Sequence, residues 1–204
     1  MLLSCSKSGL NCVDRCQGCR PGMPTRLRTN SGFTLIELLI VVGIIGVLAA
    51  IAVISMARAR QSGNEAAAIG SLRAITGGQA AYASSCGGGG YAQSNADLAK
   101  APAGSPPFIP PDLEKADLAA NAKSGYIVTV NDNADPDNRD VQPAAETCNA
   151  SAGASRAMYH VAAEPVSRGV TGSRSFGTDR RGTIYYDSTA AIPNPIPAGL
   201  DFLQ

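Results

Sequence analysis

Residues 31–57 read SGFTLIELLIVVGIIGVLAAIAVISMA, and this stretch decides how the rest of the chain is read. From Phe33 to Ala57 the one charge is Glu37, and from Leu38 to Ala57 there are 20 uncharged, mostly aliphatic residues. At ~1.5 Å per residue they cover about 30 Å, one hydrocarbon thickness, so the run predicts a membrane-crossing helix. A charged side chain in such a segment costs roughly 2.5 kcal/mol or more at mid-depth and marks function by default. Glu37 lies near one end, where the cost is smaller, but it still asks for a partner.

The flanks matter as much as the run. Arg26 and Arg28 lie just upstream, and Gly32 immediately precedes Phe33. A secretory signal places its small residues after the apolar core and is cut there. Here the small residue comes first, so a cut after Gly32 removes a basic leader and keeps the apolar helix. Gly32-Phe33-Thr34-Leu35-Ile36-Glu37-Leu38-Leu39 closely resembles the processing site of type IV pilins and of the pseudopilins of type II secretion. The resemblance covers roughly residues 26–85. It implies that a membrane aspartic protease cuts on the cytoplasmic side after Gly32 and methylates the new terminus at Phe33. It also implies that the Phe33 ammonium of one subunit meets the Glu37 carboxylate of a neighbour during assembly. The plainer alternative for Glu37 is a carboxylate solvated by lipid headgroups.

Read from Met1, residues 1–32 form the leader and hold four of the six cysteines, Cys5, Cys12, Cys16 and Cys19. Cys16-Gln-Gly-Cys19 has zinc-like spacing, but no second pair accompanies it. Leu2-Leu3-Ser4-Cys5 looks like a lipid-attachment box, yet too few residues precede the cysteine. Met23 opens a ten-residue basic leader of the usual prepilin kind, so translation is expected to start at Met23.

Lys7, Arg15, Arg20, Arg26 and Arg28 in the leader outnumber Asp14, so its removal takes the formal charge from +1 to −3. The remaining chain lacks a strongly basic nucleic-acid footprint. Basic residues ahead of the helix predict a cytoplasmic N-terminus, with everything after about Arg60 on the outer side. Cys86 and Cys148 remain. An even count in an exported domain points to one disulfide closing about 60 residues and worth ~4 kcal/mol, the alternative being two buried free thiols.

Beyond Arg60, the residues Ile69, Leu72, Ile75 and Tyr82 recur at helical spacing, with Glu65, Arg73 and Gln79 placed on other faces. The expected helix therefore has a first half, residues 33–57, that is apolar all round and spans the membrane or fills a filament core. Its second half, residues 58–85, is amphipathic and needs a domain of its own. Residues 86–124 include SCGGGGYAQSN and APAGSPPFIPP and predict a Gly/Pro-rich connecting loop, with a turn or two of helix after Pro111. Residues 125–204 predict an antiparallel sheet domain with a Pro-rich, extended tail. Strands are expected at 125–130, 156–162 and 182–187, with a short one at 174–178 and a turn at 179–182. The fold class is α+β and pilin-like: a long N-terminal helix whose second half packs on a small antiparallel β-sheet.

The loop Asn131-Asp132-Asn133-Ala134-Asp135-Pro136-Asp137-Asn138-Arg139-Asp140 is the one oxygen-rich cluster. Some pseudopilins hold Ca²⁺ in a loop of the sheet domain, which makes Asp132, Asp135 and Asp137 the calcium candidates. The EF-hand spacing fails, and a polar hairpin loop is the favoured identity. His160 is the one histidine, and its strand context makes it structural rather than catalytic. No nucleophile elbow or phosphate loop appears.

The resemblance implies a structural subunit, not an enzyme, that needs no cofactor. It would sit in the inner membrane with its sheet domain in the periplasm and then enter a periplasmic or extracellular filament. Its expected partners are copies of itself, a prepilin peptidase/methylase, an inner-membrane assembly platform with its ATPase, and membrane lipid, but not nucleic acid. A type IV pilus-like filament is the first reading. A pseudopilin of type II secretion is the second, and a membrane-anchored binding or enzymatic domain is the alternative of a different class.

Overall fold

The computed structural model describes residues 32–203. The chain divides into two units, the first ending at Ile45 and the second beginning at Gly46. Helix α1, Leu35–Ser85, runs through both. In the first unit the described residues are Gly32, Phe33, Thr34 and the opening turns of α1, all exposed. The rest of the fold belongs to the second unit.

The second unit is built on one stripe of α1. Glu65, Ala68, Leu72, Ile75, Gln79, Tyr82 and Cys86 are all buried, and they follow one another in steps of three and four. That spacing keeps them on a single helix face, which is what a helix needs to lie on a sheet. Leu72, Ile75 and Tyr82 pack with Tyr126, Val128, Val161 and Phe176 in the core. Glu65 and Gln79 are therefore not on other faces, as the spacing of the apolar residues predicts; both are satisfied inside the core stripe. Gln79 donates to the Ala92 carbonyl at 2.7 Å and accepts from the Ala92 amide at 2.9 Å. Arg73 is exposed as expected.

α1 ends where the sequence turns glycine-rich. The Gly87 and Gly89 amides bond to the Tyr82 and Ala83 carbonyls, at 2.8 and 2.9 Å. Between them Gly88 takes φ +60°, a conformation that costs glycine nothing. Within residues 86–124, expected as a connecting loop, lie the short helix α2, Asn95–Ala99, and two 3-10 turns, Pro111–Leu113 and Ala119–Asn121. Ser94 caps α2 by accepting from the Asp97 amide at 3.1 Å.

The main sheet has four antiparallel strands: β1, Tyr126–Asp132; β4, Tyr159–Pro165; β5, Ser175–Asp179; and β6, Tyr185–Asp187. Their order is β1-β4-β5-β6. A second sheet of two strands pairs β2, Asp140–Gln142, with β3, Ser155–Arg156. The strand expected at 156–162 is thus divided between two sheets. The Ala157 amide goes to the Arg139 carbonyl and the Met158 amide to Asn138 Oδ1, so the chain leaves one sheet before entering the other. The strand expected at 182–187 begins only at Tyr185, because Asp179 holds the preceding turn: it accepts from the Arg181 amide, and its carbonyl accepts from Gly182.

Both edges of the four-stranded sheet carry hydrogen bonds from neighbouring segments, which blunts them as templates for pairing. Along β1, Asn95 donates to the Val128 carbonyl and accepts from the Val130 amide, acting as a short surrogate strand. Along β6, Tyr186 and Ile184 bond to Asp201 and Leu203 of the tail. The tail also covers the sheet face opposite α1. Ile192 and Ile196 are buried there, and a Cβ on Gly177 would fall 2.6 Å from Ile192.

Candidate functional site

Thr34 precedes α1 and caps it. Its Oγ1 accepts from the Glu37 amide at 3.3 Å, and its carbonyl accepts from Leu38 at 3.3 Å. Thr34-Leu35-Ile36-Glu37 is a Thr-x-x-Glu start, and a carboxylate in the first turn is favoured by the helix dipole. Glu37 therefore has a local helical reason for its position. That reason does not neutralise it, because no cation among the described residues lies within ion-pair distance. Phe33 is 78% exposed, and every described residue from Gly32 to Arg60 is exposed. Among the described residues α1 is the one helix long and apolar enough to cross a bilayer. Gly32, Phe33 and Glu37 thus stand together at the start of an uncovered apolar helix. Residues 1–31 of the expected leader, with Met23, Arg26, Arg28 and four cysteines, lie outside the described residues.

Cys86 and Cys148 form a disulfide, with Cα atoms 4.7 Å apart. It ties the end of α1 to the segment that follows the 3-10 turn Ala144–Glu146. Cys86 completes the buried stripe of α1, so the bond lies at the end of the helix–sheet interface.

The three calcium candidates take different parts in one polar loop. Asp132 accepts from Asn138 Nδ2 at 2.6 Å and pairs with Arg156 at 2.8 Å. Asp135 accepts from the Asp137 amide at 2.9 Å, and Asp137 is exposed. Asn138 organises the loop, bonding also to the Asn133 and Met158 carbonyls. No group of three or more acidic, His or Cys side chains that could hold a metal occurs among the described residues. His160 lies on the sheet face covered by the tail. Burial pushes its imidazole below the usual histidine range, and the Pro193 backbone and Asp179 offset this only in part.

The feature that apolar spacing misses is Glu65. It is 6% exposed and accepts from the Ser173 amide (2.9 Å), the Ser173 hydroxyl (2.7 Å) and the Arg174 guanidinium (2.7 and 3.0 Å). Burial pushes its carboxyl up, but the Ser173 and Arg174 hydrogen bonds outweigh that and hold it below the ordinary value. Tyr126 donates to the Arg174 carbonyl at 2.7 Å, and burial together with the Glu65 charge pushes its phenol up to about 12. The signal for Glu65 was present in the sequence: it falls three residues before Ala68 and seven before Leu72, in register with the buried stripe.

The family model of the prokaryotic N-terminal methylation motif matches residues 27–53, the segment that contains Gly32, Phe33, Glu37 and most of the apolar run. No curated protein and no solved structure matches the chain. The chain bears the type IV pilin and pseudopilin signature on a pilin-like α+β architecture, a long N-terminal helix followed by a four-stranded antiparallel sheet.

Proposed function

We propose that residues 33–204 are the mature structural subunit of a type IV pilus-like filament. The signature supports a pilin-like or pseudopilin subunit, a structural rather than enzymatic role, and anchoring in a membrane. The finer reading is that a prepilin peptidase cuts after Gly32 and methylates Phe33, and that the subunit waits in the inner membrane with its sheet domain in the periplasm. An assembly platform and its ATPase then move it into the fibre.

The observation that carries this reading is the exposed apolar helix beginning directly behind the cut-site glycine. Fully burying one Leu or Ile side chain is worth about 1.5–3 kcal/mol, so a run of this length demands lipid first and other copies afterwards. In such a core an unpaired carboxylate is strongly disfavoured, and the Phe33 ammonium of a neighbour would relieve it. The oxygen-rich loop around Asp132, Asp135 and Asp137 stays a calcium proposal, with carbonyls and Asn oxygens completing any shell.

Shearing of cells that express the chain should release surface fibres containing it. Cells without fibres whose deletion mutant fails to secrete enzymes would instead identify a pseudopilin. Turnover by the purified domain, independent of assembly, would favour an anchored enzyme.

A further inference from the structure

The loop from Val166 to Arg174, between β4 and β5, is held against α1 at three points. Gln61 donates to the Gly169 carbonyl, Asn64 to the Thr171 carbonyl at 2.8 Å, and Glu65 receives Ser173 and Arg174. These contacts are ordered. Moving from Ser173 back to Gly169 moves the contact from Glu65 back to Gln61, towards the apolar end of the helix. The loop apex therefore lies where the apolar run has just stopped: Gln61 is four residues past Ala57, about 6 Å along the helix. A bilayer's headgroup layer extends roughly 5–7 Å beyond the hydrocarbon on each side.

The apex has the composition of a lipid contact. Val170 is 70% exposed and Val166 is 45% exposed, both on a loop that is otherwise tied down. Arg58 and Arg60 are exposed on the adjacent turn of α1. Across residues 58–65 and 166–174 the one carboxylate is Glu65, which is buried and already paired with Arg174. This end of the domain thus presents apolar side chains and cations without a free acid from these two segments, and it does so on a rigid mount.

We propose that the Val166–Arg174 loop is a membrane-resting surface: before assembly, Val170 enters the headgroup region of the bilayer while Arg58 and Arg60 meet anionic phospholipid headgroups. The proposal rests on the reading of the apolar run as a membrane span. It gives the unassembled domain a fixed height and orientation on the membrane, set by the Gln61, Asn64 and Glu65 clamps.

The chain has no tryptophan, so one can be placed at will. Full-length V170W, I45W and V141W would each be reconstituted in vesicles of phosphatidylethanolamine and phosphatidylglycerol that carry bromine at shallow or deep acyl positions. Val141 lies beside Gly90, beyond the other end of α1, and serves as the distant control. The V170W tryptophan should lose most of its emission to shallow bromines and less to deep ones, the I45W tryptophan should be quenched strongly, and the V141W tryptophan should be unaffected. Adding R58Q and R60Q to V170W should weaken the quenching, as should replacing phosphatidylglycerol by phosphatidylcholine. Quenching of I45W with none of V170W would overturn the resting surface and leave the span intact. So would a V170W signal that is unquenched in vesicles and shifts only in filaments, which would make the loop a contact between copies. No quenching of I45W would overturn the span itself.

Discussion

The two parts of α1 have the same backbone and opposite surroundings. From Phe33 to Arg60 every described residue is exposed, although the stretch up to Ala57 is the most apolar in the chain. From Glu65 to Cys86 one stripe is fully covered, although it includes a glutamate and a glutamine. Hydrophobicity alone therefore does not say what this protein buries within itself. The second part has internal partners for every position of its stripe, polar ones included. Among its described residues the first part has none, and a helix apolar on all sides must find lipid or other copies of the chain.

Four experiments press on this contrast. The largest effect is expected from Glu37→Ala. Membrane insertion and cleavage should proceed, while filaments disappear from sheared fractions under electron microscopy; normal filaments would remove the pairing role of Glu37. Next, Cys86→Ser with Cys148→Ser should destabilise the folded domain by ~4 kcal/mol, read as a lower urea midpoint than that of the oxidised protein. The third is a matched pair in detergent. Leu72→Ala should cost the domain about 3 kcal/mol in urea melts, whereas Leu48→Ala should leave the same melt unchanged. Equal losses from the two leucines would erase the distinction between the halves.

The smallest effect concerns pH. The Glu65 carboxyl is held below its ordinary value of 4.5 in the folded state, so as pH falls below 4.5 the unfolded chain takes up the proton first. The stability that Glu65 contributes is thus present above pH 4.5 and lost as pH falls through the folded-state value. Glu65→Gln should flatten this part of the acid stability curve, and an unchanged acid slope would detach the β4–β5 loop from Glu65.

Much of this was readable from residue order. The length of α1, its end at the glycine run, the positions of β1 and β5, and the end of β6 follow from period and turn chemistry. The split of the expected 156–162 strand was not readable, because it depends on Asn138 and Arg139, which meet residues 157 and 158 only in the folded chain. Helix α2 was hidden by the glycines and prolines around it, and its anchor Asn95 matters through contacts with Leu113 and Val128, far along the sequence. Glu65 and Gln79 were misplaced because an apolar count assigns polar residues to solvent. The strict three-and-four spacing of the stripe held the better answer. At the N-terminus the motif was legible from the sequence, since the methylation motif is a short linear segment rather than a fold.

On the proposed reading the apolar helix is kept, not discarded, and begins the mature protein. Intact-mass and N-terminal peptide mass spectrometry of the protein extracted from membranes tests this most directly. The chain should start at N-methylated Phe33; an intact leader, or a chain cut after Ala57, would overturn the reading.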